Sequence, residues 1–257
     1  MIRTEQDGGV AIAEIDRHER RNALDVAHCE DLRAAVTALA AGGARVVVIT
    51  GAGSSFCAGA DLGGAYDGGF RDALYAMLTA ITQAPVPVLA AVNGPAIGAG
   101  AQLAIACDLR VAAPAASFAI PTARLGLAVD PWTIRRLAAL CGTGTAQAML
   151  IGCDTLDAER AYRSGLASRL GDRAAAITWA RELAALAPLT LAYSKQALNG
   201  QAPNAQALNG QPLNDQDGQL TADSDLAKAY EACWASDDCA EGQRARAQKR
   251  PPRFSGR

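Results

Sequence analysis

Residues 86–113 read VPVLAAVNGPAIGAGAQLAIACDLRVAA, and this stretch decides the fold. The apolar run at 86–92 suits a strand covered on both faces. Small residues then form a loop, 99–106 has the composition of a short apolar helix, and 109–113 is another buried strand. The alternation extends toward the N-terminus. It includes an alternating strand at 10–15 (VAIAEI) and a helical pattern at 24–39 that stops at Gly42-Gly43. A β-branched run at 45–50 (RVVVIT) and a helix over 70–83 follow. The order β-α-β-α-β predicts an α/β layer built from crossover units. Beyond Trp132 the pattern becomes helical, at 133–140, 145–151, 158–164, 174–186 and 189–198, with no further strand expected.

The chain has 257 residues, enough to bury a sizeable core, and half of them are hydrophobic. Its 24 basic and 26 acidic residues leave a net charge of −2. That balance argues against nucleic acid or an anionic membrane surface as the main partner. Seven scattered cysteines without a CxxC pair read as reduced, small apolar residues of a cytoplasmic protein. The start, MIRTEQDGG, is too polar for a signal peptide, and no apolar run reaches membrane-spanning length. Near the end, QALNGQ at 196–201 recurs at 206–211 within a stretch rich in Asn, Gln, Gly and Pro. One duplication is too little for a repeat architecture, so 196–220 is read as a polar surface insertion without chemistry.

Three glycine-rich stretches are candidates for the site. Gly51-Ala52-Gly53 follows a strand, but a dinucleotide fingerprint fails because Phe56 stands where its third glycine belongs. The other two are FCAGADL at 56–62 and NGPAIGAGAQL at 93–103. Each places small residues between a strand and a helix, where backbone N–H groups lie open to a ligand. Singly, each is also what tight packing would produce. Side by side, they would aim two N–H groups at one oxygen, as an oxyanion hole does.

With Arg20-Arg21-Asn22-Ala23-Leu24, SSFCAGADL, NGPAIGAGAQLAIACDLRVA, FAIPTARLGL and the terminal Lys249-Arg250-Pro251-Pro252-Arg253-Phe254 in this order, the sequence resembles the crotonase (enoyl-CoA hydratase/isomerase) superfamily from about Val10 to Phe254. The resemblance implies a spiral of ββα units over residues 1–195 and a helical trimerisation region over 196–257, assembled as a homotrimer or hexamer. It implies an acyl-CoA or enoyl-CoA ligand in fatty acid metabolism, with coenzyme A part of that ligand and no separate cofactor. The N–H groups of Ala58 and Ala99 would hold the thioester oxygen, Ala99 standing where the family has glycine. Arg21, Ala23, Leu24, Ala60, Asp61 and Leu62 would line the CoA, with Lys249 and Phe254 reaching it from this or a neighbouring subunit. Arg21 reads either as a phosphate partner or as a solvated surface arginine.

The hydratases of that family use two carboxylates as general base and acid. Gln102 and Thr122 occupy those places, at the family's twenty-residue spacing. Glutamine exchanges no proton near neutral pH and threonine is a very poor base, so efficient hydration is not expected. Asp130 resembles in position the acid/base aspartate of certain isomerases of the superfamily. It also reads as the cap of a helix beginning Pro131-Trp132. Trp132 reads either as a wall for the acyl group or as core. With two histidines and no GxSxG, a Ser-His-Asp hydrolase is unsupported. Cys57 reads as packing, and no cluster has metal-site spacing. An isomerase or weak hydratase and a non-catalytic acyl-CoA-binding or channelling protein both remain open.

Overall fold

The computed structural model describes residues 1–61, 68–200 and 216–257. Leu62 and the second copy of the duplicated hexapeptide lie outside them. Its main sheet has six strands: β1 (Ile2–Asp7), β2 (Val10–Ile15), β3 (Val46–Gly51), β4 (Val88–Val92), β6 (Leu109–Ala112) and β9 (Arg169–Leu170). They lie in the order β1-β2-β3-β4-β6-β9. Only β1 and β2 run antiparallel; the other neighbours are parallel. Such neighbours need crossovers, and α1 (Val26–Ala41), α2 (Gly68–Gln83) and α3 (Ala99–Ala106) supply them. A second sheet of β5 (Pro95–Ile97), β7 (Ser117–Ala119) and β8 (Leu156–Asp157) lies in the order β5-β7-β8.

The central strands β3 and β4 are buried at every residue, as their unbroken apolar runs require. One face of the sheet belongs to the large core that includes α1, α2 and α3. The other face packs under α6 (Arg173–Ala184), where Val10, Val46, Val48 and Leu89 meet Ala176 and Ala180. That helix belongs to the helical half of the sequence, yet it completes the α/β layer.

The expected strand-free C-terminal half needs correction. Two short strands return there, β8 and β9, each of two residues and too brief for alternation to reveal. The two helices expected at 133–140 and 145–151 form α4 (Pro131–Leu150), interrupted at Gly142 by φ 76°, ψ 153°. Most of the insertion read over 196–220 lies outside the described residues. Residues 196–198 end α7 (Pro188–Leu198), and the helix Gln216–Trp234 is under way by 220. The polar strand β1 was missed because five of its six residues are exposed.

Helix α3 is the element that positions the site. All eight of its residues are buried, so the unpaired carbonyls at its C-terminus need partners within the protein. At its C-terminus Arg110 donates to Ala104 O and Cys107 O, and Arg136 to Ile105 O. Burial lowers the Arg110 guanidinium to about 10, which leaves it charged at neutral pH. Two cations thus meet the negative end of the helix dipole.

At the N-terminus the helix comes against the loop after β3. A methyl group on Gly100 would collide with the Cys57 carbonyl, so no larger residue fits there without moving backbone. Gly100→Ala should therefore destabilise the protein by about 2–3 kcal/mol. Gly144→Ala, at a helical position with open space around it, should be neutral or slightly stabilising. Urea midpoints of the two variants against the parent check this contrast.

A cavity with two open backbone donors

A cavity of about 780 Å³ opens where α3, the β3–α2 loop and the segment before α4 meet. Such a volume suits a small-molecule ligand. Of the residues singled out in the sequence, Arg21, Ala23, Ala58, Ala60, Asp61, Ala99, Gln102 and Thr122 line it. The loops are held by a short set of polar anchors. Asn22 is fully buried and donates to Ala52 O and Ser55 O, while its own Oδ1 accepts from Arg17 N. Arg17 in turn donates to Ala23 O and pairs with Asp61 at 2.8 Å. Arg21 and Asn22 both take positive φ, at 51° and 60°, which turns the chain back on itself at the cavity mouth.

The hydrogen-bond pattern revises one expected donor. The Ala58 N–H donates to the Arg21 carbonyl at 3.0 Å and is therefore committed. In the next residues, Leu24 N donates to Gly59 O and Asp61 N to Leu24 O, leaving Ala60 between them in a parallel bridge. The Ala60 N–H faces away from that bridge and has no partner among the described residues. Parallel bridging alternates engaged and free N–H groups, and the sequence alone does not give the phase. The Ala99 N–H opens α3 ahead of the first intrahelical bond, from Gln102 N to Gly98 O. The two loops touch: a methyl on Gly59, whose φ is 106°, would lie 2.8 Å from Ile97 O and 3.9 Å from Ala99 N.

Asp130 does not face the cavity. It is 5% exposed and caps α4, with Oδ1 accepting the Thr133 N–H at 2.9 Å. Its Oδ2 accepts the Thr133 hydroxyl at 2.6 Å and the Gln102 amide at 3.1 Å. This geometry supports the cap and not the acid/base role. Trp132 lies in the core cluster and takes no part in the lining, so the core reading holds. Leu24 is likewise core, contributing backbone alone to the loop. Lys249 is exposed and Phe254 half-buried, with its carbonyl bound by Arg45; neither lines this chain's cavity.

Helix α2 supplies lining that sequence reasoning missed, through Phe70, Arg71, Leu74 and Tyr75. The helix was recognised, but periodicity does not say which cavity its apolar face meets. Burial pushes the Tyr75 phenol up to about 12, reinforced by the Asp130 charge, so it is a neutral hydroxyl in the working range. Leu127, Ala128 and Val129 continue the apolar wall with Pro95, Ile97, Pro121 and Leu125.

Cys57, beside the donor loop, is fully buried with its thiol pushed up to about 12, as are Cys29 and Cys107, chiefly by burial. It is packing and not a nucleophile. Brief alkylation of the folded protein should label Cys153, Cys233 and Cys239, which are partly exposed, and spare these three. The same shifts carry a pH sign. Between the ordinary thiol value of 9.0 and about 12 the unfolded chain releases protons that the folded chain keeps. Stability should therefore fall as pH rises through that window, as urea titrations would show.

Comparison with known proteins agrees with this architecture. Residues 5–257 match the family model described as enoyl-CoA hydratase/isomerase. A probable enoyl-CoA hydratase, echA6, of Mycobacterium tuberculosis is 44% identical over 258 residues, covering 100% of both chains. A carnitinyl-CoA dehydratase of Citrobacter koseri is 38% identical, covering 83% of this chain and 82% of its own. Among solved structures, an enoyl-CoA hydratase from Streptomyces coelicolor A3(2), described there as putative, superimposes with TM-score 0.84 at 32% identity, over 100% of this chain and 94% of that one. From the paired loops, the buried helix that follows the second of them and these likenesses together, the chain belongs to the enoyl-CoA hydratase/isomerase family.

Proposed function

We propose that this protein binds an acyl thioester of coenzyme A, with the thioester oxygen between the N–H groups of Ala60 and Ala99, and that it does not hydrate enoyl thioesters efficiently. The observation that carries the proposal is the side-chain chemistry around those two donors. Gln102 and Thr122 line the cavity where a general base and acid would be needed, and Asp130 is sequestered by Thr133 and Gln102. Two N–H groups still polarise and hold a carbonyl. Loss of a positioned acid or base costs about 10²–10⁴-fold in rate. The exposed Arg20, Arg21 and Arg71 at the cavity mouth provide charge for the phosphates of the coenzyme.

The second reading, slow turnover as an isomerase or hydratase, draws on family membership and on the names of the relatives. A homotrimer or hexamer is part of the same proposal. Ile151, Leu198 and Trp234, exposed at 78%, 81% and 64%, are apolar surface that such an assembly would cover.

The Ala99 donor can be deleted with little harm to the helix, because proline is tolerated at the first helical position. Ala99→Pro should weaken acyl-CoA binding about tenfold, the scale of one hydrogen bond, with the melting temperature nearly unchanged. Unaltered affinity by calorimetry would exclude Ala99 as a donor.

A gain-of-function series tests the catalytic half. Glu at 102 would stand beside Asp130, and two adjacent carboxylates cannot both ionise freely. Gln102→Glu with Thr122→Glu should therefore stay nearly inactive with an enoyl-CoA. Adding Asp130→Asn should raise hydration at least about 10²-fold. An efficient parent enzyme would refute the proposal.

A further inference from the structure

The amide of Gln102 has a fixed direction. Both of its N–H bonds point into the protein, to Asp130 Oδ2 at 3.1 Å and to Thr133 Oγ1 at 2.9 Å. The Thr133 hydroxyl uses its own proton on Asp130 Oδ2, so toward Gln102 it is an acceptor. A flipped amide would set Oε1 against a carboxylate and against that acceptor at once. The charge of Asp130 therefore forbids the flip.

What remains for the cavity is the Gln102 carbonyl oxygen. Gln102 lines the cavity, while Asp130 and Thr133 do not. Among the described residues no buried side-chain nitrogen or oxygen lacks a hydrogen-bond partner. Oε1, with no protein donor, is thus the amide atom open to the cavity. It lies on the same helix face as Ala99, three residues and about 4.5 Å of helix rise further along. That offset is comparable to the span from a thioester oxygen to a substituent on the second or third acyl carbon.

We infer that Gln102, locked by Asp130 and Thr133, is a specificity determinant that favours acyl thioesters bearing a hydroxyl near the carbonyl, as in a 3-hydroxyacyl chain, over saturated or 2-enoyl chains. The inference rests on the acyl-thioester reading and deepens it. A ligand hydroxyl donates to Oε1 and satisfies it. A saturated or 2-enoyl chain offers no donor there and leaves the oxygen to a trapped water or unpaired. A site arranged to bond a hydroxyl discriminates against analogues that lack one. An amide neither removes the proton of the α-carbon nor protonates a departing hydroxyl, so the hydroxyl is held and not eliminated. Asp130 acts only through Gln102 and is a positioning residue.

The experiment measures calorimetric affinities of 3-hydroxyacyl-, 2-enoyl- and saturated acyl-CoA of one chain length for the full chain, Gln102→Met and Asp130→Asn. Asparagine keeps the helix cap of α4 but not the charge that fixes the amide. Affinity for the saturated thioester reports folding within each variant. In the parent, the 3-hydroxyacyl ligand should bind about tenfold more tightly than the saturated one, the worth of one hydrogen bond. That ratio should drop to about one in Gln102→Met and fall severalfold in Asp130→Asn. Equal affinities in the parent, or a ratio surviving Gln102→Met, would overturn the role of Gln102. A ratio surviving only Asp130→Asn would overturn the lock. Binding of none of the three would refute the acyl-thioester reading itself, a failure distinct from loss of selectivity.

Discussion

The contact of backbone on backbone between two loops is the constraint on which the rest of this structure depends. Gly94 meets Ser54 and Gly100 meets Cys57, in each case so closely that a side chain on the glycine would strike the facing main chain. Bridging hydrogen bonds from Cys57 N to Pro95 O and from Ile97 N to Cys57 O close the same seam. Only with the seam closed does the first turn of α3 stand beside Gly59 and Ala60, and only then do two N–H groups share one cavity. The buried arginines at the other end of α3 serve the same arrangement. They satisfy carbonyls that would otherwise be orphaned in the core, which lets a helix of eight residues sit fully inside with its N-terminus open.

Around those donors the side chains form a closed polar set. Gln102, Thr133 and Asp130 form one closed set of hydrogen bonds whose single charge is 5% exposed and turned away from the ligand space. A buried carboxylate is tolerated when its lone pairs are filled, and here three donors fill them. Tyr75 adds a hydroxyl that burial keeps neutral. The lining is therefore polar at a few points and apolar elsewhere, with Leu74, Ile97, Leu127 and Val129 making much of the wall.

Much of this was legible in the sequence, and what was not has specific physical causes. Long or fully buried elements announced themselves: α3 has the bounds its composition suggests, and β3 is an uninterrupted apolar run. The loops were recognised by their small residues, and residues of both lie on one cavity. The choice between Ala58 and Ala60 was not legible, because it depends on which N–H a parallel bridge consumes. The roles of Asp130 and Trp132 were open because a cap and an acid share one residue type, and a core indole and a pocket wall share another. The strands β8 and β9 exist only through pairing with distant partners, and two residues carry no period.

Binding and catalysis in this architecture rest on different parts of the chain. The two open donors of the cavity are main-chain groups, fixed by glycines and by the helix start. Substitution of the neighbouring side chains leaves them in place, because every residue but proline keeps its N–H. Acid–base exchange would depend instead on side-chain identity at positions 102 and 122, and neither an amide nor an alcohol supplies it near neutral pH. The glutamine at 102 keeps the size and hydrogen-bonding shape of a glutamate, so the pocket retains its form. Its Nε2 now serves as the donor to Asp130, a bond that an ionised glutamate could not make. The neighbourhood is arranged around an amide, with a carboxylate where a second carboxylate would repel it.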